Sequence, residues 1–514
     1  MRTWPYIFIA LLAALALSAA RGAQIYAAQS QTAKKISKPP LARPESIFFN
    51  GVIYTGEGLS RDKPRTVQAM AVAGGIVLAV GSNDEIKRLA GPSTQMHDLR
   101  GGGHDIFIFP GFNDAHTHLG NAGMMKLNVD LADATSLDDM LARIASYAKN
   151  AGPERWLLGG QWDQTHWTNK VLPMRQELDK VTSGHPAFLE RIDGHIAIVN
   201  SAALAAAGIN GKTVAPAGGA IDLDASDEPT GILRESAMDL VEKVIPPRSH
   251  EERMRGAELA IADALMHGVT SVQDNSDWED FLVYEELERA GKLNLRITEW
   301  LPFKAPLDEL KRKRSHHDAN DPMLRTGMLK GFMDGSLGSR TSAMKSPYSD
   351  DAGNTGLPQF TQAELNTMAL ERAKAGFQLG FHAIGDRAAE MALDSFAQTG
   401  ISALARNRIE HAQVVDRADI VRFRKLGVIA SMQPSHLLTD MNWAESRLGP
   451  ERAAYSYPWK AFVDAGVQLA FGTDYPVEPI TPFRGLYAAV TRMNEAGTKS
   501  YFPKQKITRG QALA

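Results

Sequence analysis

The sequence predicts an α/β protein organised around a TIM (β/α)8 barrel. Short apolar runs that end in polar residues alternate with helical segments over most of the chain, which is typical of a parallel sheet. Eight such runs occur, and eight parallel strands joined by helices make this barrel. A small β region precedes the first run, and a long segment separates the first run from the second. The predicted architecture is therefore a barrel with one additional β domain and one insertion.

The barrel is predicted to occupy residues 109–514, with its strands in the apolar runs. These strands are predicted at 110–118, Val269–Asp274, Leu293–Leu301, Met328–Asp334, Phe377–Ile384, Arg408–Gln413, Val428–Gln433 and Val467–Asp474. Helices are predicted between most of them, at Glu251–His267, Trp278–Ala290, Arg387–Ala397, Arg417–Leu426 and Trp459–Ala465. About 150 residues separate the first two strands, far more than an ordinary connection. An insertion subdomain is therefore predicted at 150–245.

The first residues have the features of a secretory signal peptide, which is predicted at 1–23. Arg2 supplies a short positive region, Ile7–Leu17 is apolar but too short to span a bilayer comfortably, and small residues follow at 18–20. An uncleaved membrane anchor is the alternative. Residues 24–44 are polar, contain proline and are predicted to form a linker. We therefore expect an exported protein, periplasmic or secreted, with no stable membrane partner after signal cleavage.

A small β domain is predicted at 45–108, ahead of the barrel. Ser46–Tyr54 and Val67–Gly81 are strand-like, and Gly74-Gly75 interrupts the second run as a hairpin turn would.

The 514 residues are 44% hydrophobic and 22% charged, as expected for a globular chain of more than one domain. The formal net charge of -3 gives no reason to expect nucleic acid as a partner. The chain has no cysteine, which excludes disulfides and thiolate metal ligands.

A histidine pair at the end of the first predicted strand indicates metal binding. His116 and His118 are two residues apart, so both imidazoles of an extended chain face the same side, and imidazole suits zinc-like divalent metals. An ordinary surface or core pair is the alternative for this motif alone. Further candidate ligands lie on later strands, near the carboxyl ends where TIM barrels keep their active sites: Lys330, His382, His411 and Asp474. Together they predict a site for one or two divalent ions, with zinc as the first choice over iron, manganese or nickel.

Eight motifs make the chain similar to a known family. They are PGFNDAHTHL, RIDGHIAIVNSAAL, EPTGILRE, KGFMDGSLGSRTSAM, FHAIGDRA, RIEHAQ, SMQPSH and GTDYPVEP. With them the sequence resembles the amidohydrolase superfamily, and within it the amidohydrolase-3 branch that includes N-substituted formamide deformylases. The resemblance implies a metal-holding TIM barrel with a small β-sandwich built from both chain ends, of which 45–108 is one part. The other part would follow a helix capped by Thr508, so a truncated chain is expected.

The resemblance also implies a role for each candidate ligand. His116 and His118 would bind the more buried metal, and Asp474 would touch that metal and shuttle protons. Lys330 stands where many superfamily members carry a carboxylated lysine that bridges two metals. The following residue is Gly331, where a bulkier apolar residue is expected, so an ion-pair role for Lys330 is the alternative. The second metal would be bound by His382 and His411.

Several other polar or aromatic residues are predicted to contact the substrate, each with a structural alternative. His195 is a candidate catalytic residue that hydrogen-bonds the substrate carbonyl, unless it is a core histidine. Arg340 is suited to a bidentate contact with a substrate carboxylate, unless it braces the glycine-rich loop around it. The remaining candidates for substrate binding are Arg191, Asp193, Asp334 and Trp162.

These observations predict a metal-dependent hydrolase of carbon–nitrogen bonds other than peptide bonds. Its substrate would be a small amide, such as an N-acyl or N-formyl amine, attacked by a metal-activated hydroxide. A deaminase of an aminated ring is one alternative, although deaminases that resemble this family place a glutamate where Asp386 stands. A non-catalytic binding protein on the same barrel is another. The sequence is also compatible with a homo-oligomer.

Overall fold

The computed structural model describes residues 43–100, 106–152, 155–164, 167–191, 196–216, 219–400 and 405–514. The predicted signal peptide and linker residues 24–42 lie outside these described residues. Two units can be distinguished, Met1–Pro110 with Ala514 and Gly111–Leu513. Among the helices of the described residues, none combines the length and apolar character needed to cross a bilayer.

The first unit contains a four-stranded and a three-stranded sheet. In sheet order, the first comprises Ile76–Gly81, Ala69–Ala73, Ser46–Phe49 and Gln95–Asp98, and the second comprises Thr66–Val67, Val52–Tyr54 and Phe107–Ile108. Its helices are the 3-10 turn Leu59–Arg61 and Asn83–Lys87. The predicted hairpin is present, because Ala69–Ala73 pairs antiparallel with Ile76–Gly81. Gly74 and Gly75 between them have φ of 55° and 71°, the left-handed values that a tight hairpin turn requires.

The second unit is built on the predicted eight-stranded parallel barrel of TIM type. Its strands are, in order, Phe112–Thr117, Val269–Asp274, Arg296–Pro302, Leu324–Phe332, Leu379–Ala383, Arg408–His411, Ile429–Met432 and Leu469–Phe471. The barrel closes where strand eight meets strand one. There, the backbone N–H of Asp474 donates to His116 O (2.8 Å) and that of His118 donates to Tyr475 O (2.7 Å). We call this junction the seam.

Helices surround the barrel strands and continue through the rest of the unit. They are Leu119–Leu127, Leu137–Ala148, Arg175–Asp179, Ser201–Ala206, Asp239–Glu242, His250–Met266, Trp278–Arg289, Leu307–Arg314, Gln362–Lys374, Asp386–Gln398, Arg417–Leu426, His436–Asp440, Ala444–Ala453, Trp459–Asp464, Pro482–Thr491 and Arg509–Leu513, with 3-10 turns at Glu235–Ala237 and Pro503–Gln505. The helix after strand six shows why these segments are helical. Asp416 caps it by accepting from the backbone of Ala418 (2.9 Å), and Gly427 ends it in the left-handed conformation.

Between barrel strands one and two the chain forms a separate six-stranded mixed sheet. Its strand order is Ala220–Leu223, Pro229–Arg234, Ile196–Val199, Ala187–Arg191, Leu157–Trp162 and Val129–Asp130. The last strand in this order comes first in the chain and precedes residue 150, where the insertion is predicted to begin. The sheet covers an apolar cluster of its own that includes Leu157, Leu189 and Ile198. This segment is therefore a folded subdomain with its own sheet and its own apolar core.

Candidate metal centre

Three predicted ligands, on strand one, at the end of strand six and in the loop after strand eight, lie close together. His116, His411 and Asp474 each offer a ligand atom, and these atoms all lie within 4.8 Å of one another. All three residues are buried. His411 and Asp474 have left-handed backbones, with φ of 70° and 61°. His411 is the last residue of strand six, and Asp474 lies three residues beyond strand eight. The fold thus brings the imidazole of His116 together with His411 and Asp474, which lie about 300 or more positions later in the sequence.

His118 joins this group through Asp474. Its Nε2 lies 3.0 Å from Asp474 Oδ1, and His116 Nε2 lies 3.4 Å from the same oxygen. The two rings are 5.4 Å apart, as the spacing of two in the strand predicts. Two ring nitrogens therefore flank one carboxylate oxygen.

The second ring nitrogen of each of three histidines has an oxygen partner. His116 Nδ1 lies 2.9 Å from Glu410 Oε2, His118 Nδ1 lies 3.0 Å from Asn275 O, and His382 Nε2 lies 3.1 Å from Gly335 O. A histidine that donates one N–H to an oxygen keeps a lone pair on its other nitrogen, which is how metal-bound histidines are usually held. His382 also packs against His411, with ring centroids 4.5 Å apart. The donor set of four imidazoles and a carboxylate fits a divalent metal such as zinc.

His411 supplies an independent test of that fit. Its Nδ1 is buried and has no hydrogen-bond partner in the part of the chain that the structure describes. Burial and the neighbouring charge of His382 lower the pKa of His411 well below its usual value, so this imidazole is neutral. A buried neutral ring with an unpartnered nitrogen is suited to accept a metal ion.

Lys330 lies within the same cluster. Its Nζ is 3.0 Å from His116 Nε2, and the ammonium faces the ring of Trp300 at 5.1 Å. Burial lowers the pKa of Lys330 to about 8, against the opposing effect of the Glu410 and Asp474 carboxylates. The unexpected glycine beside it has a structural reason, because a β-carbon on Gly331 would lie 2.9 Å from the ring of Phe381.

Glu410 and Arg408 support the site, although they are absent from the predicted set. Both Arg408 nitrogens that face Glu410 donate to it, Nε at 2.7 Å and Nη2 at 3.1 Å, and Glu410 is fully buried. Burial raises the pKa of Glu410, but Arg408 and the hydrogen bond to His116 outweigh this effect and lower it to about 2. Burial and the charge of Lys330 lower the pKa of His116 to about 4. Glu410 is therefore an anion that orients a neutral His116.

A fifth histidine near the centre, His436, is also absent from the predicted set. It begins the short helix that follows strand seven, and its Nε2 lies 3.8 Å from Asp474 Oδ2. Its position in the SMQPSH motif, directly after a predicted strand, is the signal that would have identified it. The position of Glu410 in the site is harder to predict from the sequence. It directly precedes His411, and neighbouring strand residues usually face opposite sides.

The predicted substrate contacts lie in structural networks. Asp334 accepts hydrogen bonds from the backbones of Ala343, Ile384 and Gly385 at 2.8–3.1 Å, and burial raises its pKa to about 7. Arg340 forms a two-pronged ion pair with Asp350, both contacts being 3.0 Å. These contacts agree with the loop-bracing alternative, and a role for either residue in substrate binding stays a prediction.

The other substrate candidates belong to the insertion. Trp162 is fully buried and its indole N–H donates to Leu189 O (2.9 Å), so packing accounts for its position. Arg191 donates to Gln164 Oε1 (2.9 Å). Asp193 and His195 lie outside the described residues. The deaminase alternative depends on Asp386, which begins a helix and accepts from the backbone of Lys345 (2.7 Å).

Comparisons with known proteins identify relatives among amidohydrolases and metal-dependent hydrolases. A family model described as "Amidohydrolase family" matches residues 98–514. The chain is 32% identical to the putative amidohydrolase YtcJ of Bacillus subtilis (strain 168), over 87% of this chain and 84% of that protein. It is 27% identical to an N-substituted formamide deformylase of Arthrobacter pascens, with the same coverage of both chains. An uncharacterized metal-dependent hydrolase from Pyrococcus furiosus has a similar structure, with a TM-score of 0.75 and 30% identity over 91% of this chain and 92% of that one.

Proposed function

Because this chain belongs to the amidohydrolase family, whose members include metal-dependent hydrolases of carbon–nitrogen bonds, we propose that it hydrolyses small N-acyl or N-formyl amines. The observation that carries the proposal is the set of histidines in the candidate metal centre. Three of them give one ring nitrogen to an oxygen and so keep a lone pair on the other. The similarity to an N-substituted formamide deformylase supports the choice of substrate.

The metal would be held by His116, His118 and Asp474, with His382 and His411 holding a second ion if two are present. A divalent metal there, zinc being our first choice, supplies a Lewis acid that polarises a carbonyl and lowers the pKa of water from 15.7 to about 7. Glu410 keeps His116 in the tautomer that presents Nε2 to the site.

Asp474 is the residue to which we assign proton transfer. Burial raises its pKa, but His116 and His118, whose ring nitrogens face this carboxylate, outweigh that effect and hold the pKa well below its usual value. Asp474 is therefore an ionised carboxylate at neutral pH. It accepts a proton from the attacking water and then donates it to the leaving nitrogen, acting first as general base and then as general acid.

For Lys330 we propose carboxylation. Its neutral amine would attack carbon dioxide, forming an N–C bond and releasing one proton, and the resulting carbamate offers two anionic oxygens for bridging. The support is its burial beside His116 at the carboxyl end of strand four. A carbamate, unlike an amine, is able to contact two ions at once.

The first test is the metal content per chain of the purified protein, beside His116→Ala and Lys330→Ala. We expect close to two ions in the parent and a loss in both variants. His250→Ala is the matched control, because this histidine is exposed and pairs with Glu286 on the protein surface. One ion in the parent, unchanged by Lys330→Ala, would discard the bridging lysine and leave a one-metal enzyme.

The second test is activity on N-formyl and N-acetyl amines, with and without chelator. Amine release that chelator abolishes and zinc restores is expected. A folded parent that binds no metal even when zinc is supplied would refute the hydrolase proposal and favour a binding protein. Ammonia release from aminated heterocycles in place of amide cleavage would favour the deaminase.

We also propose that the protein is exported. The support is the charged, apolar and small-residue order of positions 1–23. The intact mass of the protein recovered from the periplasm or medium should correspond to a chain that has lost this segment. Full-length protein in the membrane fraction would favour an uncleaved anchor.

A further inference from the structure

His436 is a partly buried polar residue beside the metal centre to which the predicted ligand set assigns no role. Its side chain is 14% exposed, and its ring lies nearly parallel to that of His411, with an angle of 16° and centroids 6.1 Å apart. Its Nε2 is buried and has no hydrogen-bond partner among the described residues. This Nε2 lies 3.8 Å from Asp474 Oδ2, too far for a hydrogen bond.

Hydrogen bonds fix the helix that carries His436 to the loops that follow strands six and eight. Asp440, one turn further on, accepts from Gln413 (2.9 Å) after strand six and from Tyr457. On the other side, Thr439 donates to Glu478 (3.1 Å) after strand eight. A side chain held on such a support keeps its position when a ligand binds, which is the condition for a preorganised catalytic donor.

We propose that His436 is a further catalytic residue, whose Nε2–H donates a hydrogen bond to the carbonyl oxygen of the amide under attack. This inference rests on the proposed function. Asp474 handles the proton that moves from water to the leaving nitrogen, and His436 transfers no proton. It stabilises the negative charge that the carbonyl oxygen gains as the water attacks. The unpartnered Nε2 supports this assignment, because leaving a buried N–H without an acceptor costs free energy. A bound substrate carbonyl would supply that acceptor.

The experiment compares His436→Ala and His436→Asn with the parent and with His250→Ala as surface control. Metal per chain, thermal melting, kcat and KM on an N-formyl amine are measured for each protein. His436→Ala should keep the parental metal content and melting temperature and lose about 100- to 1,000-fold in kcat, the usual cost of one oxyanion donor. The carboxamide of His436→Asn can still donate, so part of the rate should return. His250→Ala should match the parent.

Binding of a phosphonamidate analogue supplies a readout independent of turnover. Its tetrahedral oxygens imitate the charged intermediate, so its Kd should rise in His436→Ala by about as much as kcat falls, while KM changes little. Unchanged kcat in an active parent would overturn the assignment and leave the hydrolase proposal standing. Loss of metal in both His436 variants would make the residue a ligand, which also overturns it. A parent that cleaves no amide would refute the proposed function and the substrate contact together.

Discussion

Replacing Glu410 tests the support of the metal centre most directly. Glu410→Gln keeps the size of the side chain but removes the charge that faces both Arg408 and His116. Loss of a hydrogen-bond partner behind a metal ligand typically weakens metal binding about 10- to 100-fold. Each factor of ten equals about 1.4 kcal/mol. We therefore expect Glu410→Gln to fold and to bind zinc about 10- to 100-fold more weakly.

Glu410→Ala should have a larger effect on folding. It leaves the Arg408 guanidinium buried without its counter-ion, although Ser431 and the Ala115 carbonyl still accept from it at 2.7 and 2.6 Å. Removing one member of a buried ion pair costs about 3–5 kcal/mol. Denaturant unfolding of the metal-free protein should show a loss in that range.

Zinc affinity is best measured by competition with a chromogenic chelator, and stability by urea unfolding without metal. Asp419→Asn is a matched control, because Asp419 is also buried and pairs with Arg422 of its own helix and with Lys345 of a loop. It should lower stability and leave zinc affinity unchanged. Parental zinc affinity in Glu410→Gln, or an equal loss in the control, would refute the orienting role of Glu410.

Burial lowers the pKa of His116 to about 4 and of His382 to about 3, so between pH 6.5 and those values the unfolded chain binds more protons than the native one. Each histidine should therefore contribute a loss of up to about 1.4 kcal/mol of stability per pH unit in metal-free protein as the pH falls through this window. Asp334 acts in the opposite direction, because its raised pKa of about 7 makes the native chain bind a proton there. Urea unfolding of His382→Phe from pH 7 to 5 should therefore show a smaller loss than the parent, and an equal pH dependence in both proteins would contradict the prediction. Asp334→Ala leaves three buried backbone N–H groups unpaired and should cost at least about 3 kcal/mol at pH 8, whereas Arg340→Ala should cost less than about 1 kcal/mol. A raised KM in the stable Arg340 variant would instead support its predicted substrate contact. Gly472→Ala places a β-carbon 2.5 Å from the backbone nitrogen of His116, so reduced metal content is expected, and full metal content would show that the strands adjust.

The barrel was predictable because most of its strands are short apolar runs with polar ends, although strand six, Arg408–His411, contains a single apolar residue. Strand ends were less predictable, and strand eight covers only Leu469–Phe471 of the predicted 467–474. Asp474 lies beyond it with a left-handed backbone, a conformation that hydrophobic patterning does not reveal. The candidate ligands could nevertheless be named, because their residue types and their place after apolar runs are visible in the sequence.

Residues that act through another side chain were harder to predict. In a regular strand Glu410 and His411 would face opposite sides, but His411 has φ of 70°, so the alternation stops between them. Both side chains consequently reach the same centre. Trp300 is similar, since only the folded barrel shows that its ring lies 4.9 Å from that of His116. Such contacts depend on the stagger of neighbouring strands, which one strand's sequence does not contain.

The position of the seam also has a consequence for how the protein folds. Asp114 on strand one accepts from Thr473 after strand eight, and these residues are 359 positions apart. Contacts of such long range form slowly, because the chain must close a large loop before they stabilise it. During synthesis His116 leaves the ribosome long before Asp474 does. A nascent chain therefore carries the first proposed ligands before Asp474 has been synthesised. The complete site can form only when the whole barrel has closed.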